Sequence, residues 1–194
     1  MLAIDVGNTN ITTGIFEGSE LKEVIRVPTE ACLKGSSFLP HVPEVRKAMP
    51  DDAVMVSVRG KATDVILKEF REKDGKPPLL VDVDTPMGIG VSYGTRETLG
   101  IDRLVCAAAA FRLHRKAGRP LIVVDMGTAT TIDYVTAEGV FIGGMIAPGI
   151  QSAYEGLIAA APQLPRIEGL YPGRLIGDST EECVRSGVVM ATCA

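Results

Sequence analysis

One short pattern occurs twice in this chain, and it restricts the fold more than any other feature. Leu2 to Thr12 reads LAIDVGNTNIT, and Leu121 to Asp133 reads LIVVDMGTATTID. In each copy apolar β-formers lead to an aspartate, then to a glycine turn rich in amide or hydroxyl side chains. Asp5, Gly7, Asn8 and Asn10 stand opposite Asp125, Gly127, Thr128 and Thr130, at a constant offset of 120 residues. The β-branched run Ile122, Val123, Val124 is expected to form a strand packed on both faces. Glycine lets the turn approach a ligand without a Cβ. A single Asp-x-Gly turn is a common hairpin element. Two copies, each after an apolar strand, imply a duplicated domain and predict a nucleotide clamped between two lobes.

The remaining composition limits what such a domain pair could serve. With 194 residues, 46% of them hydrophobic, the chain has ample material for a packed core. The net charge is -4, from 20 basic and 24 acidic residues, without a dense Lys/Arg cluster, so no nucleic-acid partner is expected. No charge-free apolar run approaches the roughly eighteen residues of a membrane span. The start, MLAIDVGNTN, has no basic region before its apolar residues, and a cytoplasmic protein is expected. Cys32, Cys106, Cys183 and Cys193 are widely spread, so neither zinc nor a disulfide framework is expected; Cys106, in VCAAAAF, reads as a small core residue.

Along the chain, Leu2 to Val6, ITTGIFEG and LKEVIRV read as a three-strand meander punctuated by Gly14 and Gly18. A polar connection is expected from Thr29 to Pro43, then a short helix from Pro43 to Met49 and a strand from Ala53 to Val58. Lys61 to Lys73 has helical spacing and ends at Asp74-Gly75, a C-cap signal; Leu79 to Val83 returns as a strand. The order β-β-β-α-β-α-β resembles the ribonuclease H-like half-domain of the actin and sugar kinase superfamily. The expected fold is therefore α/β: two tandem ribonuclease H-like, actin-like ATPase half-domains with mixed sheets, spanning 1–118 and 119–194. In the second, Leu121 to Met126, Thr130 to Val135 and Val140 to Met145 form the meander, followed by helices at Ile150 to Ala161 and Ser179 to Thr192. The repeat predicts a further strand and helix there, making this half incomplete at its C-terminus.

Between the halves a glycine-rich run leads into a helix beginning near Asp102, with Leu104, Val105, Ala108 and Phe111 on its buried face. A carboxylate at a helix start stabilises it by about 1 kcal/mol as a cap. The arginine beside Asp102 and the glycines before it add a second reading, because phosphorylation of a hydroxyl needs a base beside an anion-holding group. Gly143-Gly144 through Pro148-Gly149 is a strand end and turn, whose bare backbone could also let a flat base or ribose lie close.

Together these residues resemble the type III pantothenate kinases. Asp5-Val6-Gly7-Asn8-Thr9 with Gly14 is similar to that family's DxGNTxxxxG motif, and Gly100-Ile101-Asp102-Arg103 to its GxDR motif. Asp125-Met126-Gly127-Thr128-Ala129 with Thr131 and Asp133 is similar to DxGTAxTxD, and Gly143-Gly144 to Pro148-Gly149 is similar to GGxIxPG. The resemblance implies ATP-dependent phosphorylation of pantothenate at its terminal hydroxyl, the first step toward coenzyme A. It makes Asp102 the general base, with Tyr93, Gly100, Ile101, Arg103 and Thr180 lining the pantothenate site. Asp5, Val6, Gly7, Asn8, Thr9, Asn10, Ile11 and Thr12, with Thr128, would hold the ATP phosphates. Asp125 would bind a monovalent cation, potassium or ammonium, and Mg2+ would accompany ATP. The family also implies a homodimer in which Thr180 reaches the partner's substrate. The alternative from another class is a catalytically weak or inactive nucleotide-binding, regulatory relative that keeps the loops without productive turnover.

Overall fold

A computed structural model describes residues 1–35, 37–43, 45, 52–73, 76–171 and 173–193. The chain forms two compact units, one comprising Met1–Ile89 and Tyr93–Ala109, the other Gly90–Ser92 and Ala110–Ala194. The division falls within one helix, α3 (Ile101–His114).

In the first unit the predicted meander is β1 (Leu2–Val6), β2 (Asn10–Glu17) and β3 (Glu20–Pro28), all antiparallel. The β4 strand (Ala53–Ser57) pairs parallel to β1, and β5 (Leu79–Leu80) parallel to β4, giving the mixed order β3-β2-β1-β4-β5. Helix α2 (Gly60–Lys73) buries Ala62, Ile66 and Phe70, one turn apart. With α1 (Thr29–Gly35) it encloses Leu2, Ile4, Val6, Ile11, Met55 and Cys32 in one core. The period-2 alternation of β1 and the four-residue spacing of α2 are therefore two sides of one packed layer.

Three expectations change here. The Thr29 to Pro43 connection is not irregular: it holds α1 and a 3-10 turn at Leu39–His41. Burial of Thr29 and Cys32, three residues apart, supplies α1 with a single inward face that a seven-residue segment shows only faintly in sequence. The Glu69 carboxylate anchors the backbone between α1 and the 3-10 turn, accepting from the Ser37 hydroxyl at 2.5 Å and from the amides of Phe38 and Leu39 at 2.6 and 3.0 Å. The strand at Leu79 to Val83 shortens to two paired residues, because Asp82 starts a turn by accepting from Asp84 and Thr85. Cys106 is exposed, since the inward face of α3 runs through Leu104, Ala107, Ala108 and Phe111. Most of the helix expected at Pro43 to Met49, and the cap at Asp74-Gly75, lie outside the described residues.

In the second unit β7 (Leu121–Met126), β8 (Ala129–Val135) and β9 (Val140–Pro148) repeat the antiparallel meander. The glycine-rich run ahead of α3 contributes a short strand, β6 (Gly90–Val91), parallel to β9, so the sheet order is β6-β9-β8-β7. Helices α4 (Ile150–Ala160) and α5 (Thr180–Cys193) pack together around Tyr154, Ile158, Val184 and Val188. The Tyr154 hydroxyl accepts from the Ile167 amide at 2.7 Å, which ties the connection between these helices to α4.

The expectation that β7 is buried on both faces is wrong, and the repeat shows why. Leu2, Ile4 and Val6 are 1%, 2% and 0% exposed, whereas their counterparts Ile122, Val124 and Met126 are 68%, 54% and 56% exposed. Strand β1 is interior to its sheet, flanked by β4 and sharing a core with α2. Strand β7 is an edge, and no counterpart of β4 and α2 covers it among the described residues. No described helix is long and apolar enough to cross a membrane.

Candidate active site

Each aspartate of the repeated pattern is placed one residue before the end of its strand, and the glycine turn after it is closed by backbone. In the first unit the Gly7 amide donates to the Asn10 carbonyl at 2.9 Å; in the second the Gly127 amide donates to that of Ala129, also at 2.9 Å. Asp5, Asn8, Thr9 and Asn10 are exposed around the first turn, while Val6 and Ile11 are buried anchors on either side. Asp125, Gly127 and Thr128 are exposed around the second. Asp5 pairs across the sheet with Thr12, and Asp125 with Thr131.

The helix carrying the GIDR sequence begins at Ile101, which puts Asp102 in its first turn, half-buried. The carboxylate Oδ1 accepts from the Arg103 amide at 2.9 Å. Ile101 and Arg103 are buried, at 8% exposure each, so the segment is held from both sides of Asp102. Gly100 has a steric reason: a Cβ there would lie 2.6 Å from Asp102 Oδ1. A cavity of about 340 Å³ in the first unit is lined by Asp5 and Thr12 together with Val105. Asp5 of the first loop and Val105, one turn along the helix from Asp102, thus line one mainly apolar cavity, whose lining does not include Asp102 itself. Tyr93 is half-buried in the same unit.

Thr180 is the exposed first residue of α5 in the second unit. It lines an apolar cavity of about 780 Å³ with Ile132, Met145 and Val184, and Thr130 lends a buried hydroxyl without a described hydrogen-bond partner. Tyr93, Gly100, Ile101, Asp102 and Arg103 belong to the first unit, so the residues expected around the acceptor are divided between the two.

The Gly143-Gly144 pair is built for the sheet. A Cβ on Gly144 would lie 2.0 Å from the Ile132 carbonyl oxygen of β8, and Gly143 has φ +121°, a conformation that favours glycine. Gly143 borders the shift in β8–β9 register, and Gly144 is one pair further along. Asp133, opposite Gly144, is 2% exposed and belongs to this packed layer.

Sequence reasoning missed the groups that hold the loops from behind. Thr29, the first residue of α1, donates its hydroxyl to the Gly7 carbonyl and its amide to the Thr9 carbonyl, both at 2.9 Å. Gly149, just before α4, donates its amide to the Thr128 carbonyl at 3.0 Å, and Ser152 adds its hydroxyl to the same oxygen at 2.6 Å. One signal was present: Pro28 and Pro148, which close β3 and β9, keep the same 120-residue offset as the two aspartates.

Among the described residues no group of three or more His, Cys, Asp or Glu side chains could cage a metal ion. Single exposed carboxylates such as Asp5 and Asp125 suit a cation whose remaining ligands are phosphate oxygens and water.

A family model described as type III pantothenate kinase matches residues 1–194. A type III pantothenate kinase of Moorella thermoacetica is 37% identical over 195 residues, covering 97% of this chain and 76% of the relative. One from Finegoldia magna is 36% identical, covering 97% and 73%. A solved structure from Campylobacter jejuni, described as a conserved protein of the Baf family of transcriptional activators, superposes with a TM-score of 0.57 at 18% identity. That superposition covers 100% of this chain and 76% of the other, and it bears on the fold alone.

Proposed function

This chain belongs to the type III pantothenate kinase family, and we propose that it transfers the γ-phosphoryl group of ATP to the terminal hydroxyl of pantothenate, producing 4'-phosphopantothenate. The match of the family model to the whole chain carries this reading.

In the proposed reaction Asp102 accepts the proton of the pantothenate hydroxyl as its oxygen attacks phosphorus, and ADP leaves with the bridging oxygen. Phosphoryl transfer depends mainly on positioning and charge stabilisation. Support for Asp102 as the base comes from its half-buried place in the first turn of α3, with one oxygen held by the Arg103 amide, and from the room that Gly100 leaves it. Arg103, buried beside it, supplies positive charge near the acceptor; Tyr93 and Ile101 complete that wall, and Thr180 comes from the partner in a homodimer.

The loops at Asp5 to Thr12 and at Thr128 hold the ATP phosphates with backbone amides and short polar side chains. Mg2+ would supply charge neutralisation on the phosphates when bound, and Asp5 is the one carboxylate that the Asp5 to Thr12 loop offers it. Asp125, exposed at its strand end, holds the monovalent cation, potassium or ammonium. A cytoplasmic setting goes with this substrate pair.

The test is product identification. Incubation with ATP, Mg2+ and pantothenate should yield one ADP per pantothenate converted, with the added phosphate on the terminal hydroxyl. ATP binding without a phosphorylated product would support the regulatory alternative instead.

A further inference from the structure

We propose that Thr29 and Ser152 are positioning residues for the two phosphate loops, each tying loop carbonyl oxygens toward the helix that follows the three-strand meander of its unit. This rests on the reading of those loops as nucleotide-binding.

The physical problem is the same in both turns. A phosphate is held by N–H groups and repelled by carbonyl oxygens. A short glycine turn contains both kinds of group and has little side-chain packing to fix which of them faces the ligand. In the first unit the Gly7 and Thr9 carbonyls are both taken by Thr29, through its hydroxyl and its amide. Thr29 is 0% exposed, so its hydroxyl has given up water for this contact. In the second unit the Thr128 carbonyl receives two donors, the Gly149 amide and the Ser152 hydroxyl.

The two devices share the position of the backbone donor and differ in side chain and in the carbonyl bound, Thr128 standing opposite Asn8 rather than Gly7 or Thr9. Thr29 and Gly149 occupy the same repeat position, each directly after a strand-ending proline, and each donates its amide to a loop carbonyl. In the first unit the added hydroxyl comes from that same residue. In the second, a side chain there is excluded because a Cβ on Gly149 would lie 2.0 Å from the Gly127 carbonyl oxygen. The hydroxyl comes instead from Ser152, in the first turn of α4. Two different residues thus meet one requirement.

Thr29→Val and Ser152→Ala each remove one hydroxyl and leave the backbone donors in place. Titration calorimetry of the full chain with ADP and Mg2+ should show Kd rising roughly three- to tenfold in each, the loss of about one hydrogen bond. Thr29→Ser and Ser152→Thr should restore affinity to within about twofold of wild type. Unchanged Kd in a folded Thr29→Val and Ser152→Ala, whatever their Tm, would overturn the proposal and leave the hydroxyls a purely structural role. If Thr29→Val does not fold, Ser152→Ala at its partly exposed site decides the matter alone. Wild-type protein that binds ADP without phosphorylating pantothenate would remove the kinase reading while this comparison still stands. Wild-type protein that binds no nucleotide would overturn both.

Discussion

Gly100 and Asp102 are sterically coupled: a Cβ on the glycine would sit 2.6 Å from Asp102 Oδ1, the oxygen that accepts the Arg103 amide. The atom in the way is the end of a side chain, so the protein can yield by turning the carboxylate aside. Gly100→Ala should therefore leave Tm nearly unchanged and lower kcat for pantothenate by about a hundredfold, the scale on which a misplaced general base loses rate. Steady-state kinetics beside a melting curve would check this. An equal fall in Tm and activity would make Gly100 a folding residue only.

Ile4 and Val124 should respond very differently to truncation despite their equivalent repeat positions. Ile4→Ala opens a cavity in a closed core and should cost about 2–5 kcal/mol. Val124, 54% exposed on an edge strand, should cost within about 0.5 kcal/mol as alanine. Urea unfolding of both variants gives the comparison directly.

That contrast also marks what the sequence could reveal. The strands of both meanders were legible because side-chain alternation and the glycine turns are local signals repeated at one offset. Burial of β7 was not, since exposure of Ile122, Val124 and Met126 depends on what covers them, and their own pattern is as apolar as that of β1. The GxDR helix and its Asp102 were readable from a run of apolar residues at helical spacing behind a glycine-rich stretch. The hydroxyl contacts of Thr29 and Ser152 were not, because each reaches a loop more than twenty residues away. Cys106 misled through composition: its alanine-rich neighbours suggest a core, yet the helix turns that position outward.

Gly149 and Gly156 form an opposed pair. Alanine at Gly149 would drive a Cβ into loop backbone, which cannot swing away, and should cost about 1–3 kcal/mol together with nucleotide affinity. Gly156, inside α4, has nothing within 4 Å of a new Cβ, and alanine there should stabilise by about 0.5–1 kcal/mol. Thermal melts with and without ADP separate the two effects.

The Cys32 thiol is pushed up to about 11 from 9.0, first by burial and then by the Glu69 carboxylate. Because the folded state holds this proton more tightly than the unfolded chain, the stabilisation is complete below about pH 9 and is lost as pH rises toward 11. The stability difference between wild type and Cys32→Ala should shrink across that window. At pH 8 an alkylating reagent should modify the exposed Cys106 and Cys183 and spare Cys32 in the folded protein.

Pantothenate-dependent ADP release by wild type and Asp102→Asn, with Mg2+ in potassium and then sodium buffer, tests the central claim most directly. The kinase reading predicts release that requires pantothenate, is stimulated by potassium, and falls by at least about a hundredfold in Asp102→Asn while ADP affinity and Tm are kept. Turnover that survives the substitution would contradict the role of Asp102. Folded wild-type protein that binds ATP and releases no ADP would contradict the kinase assignment itself.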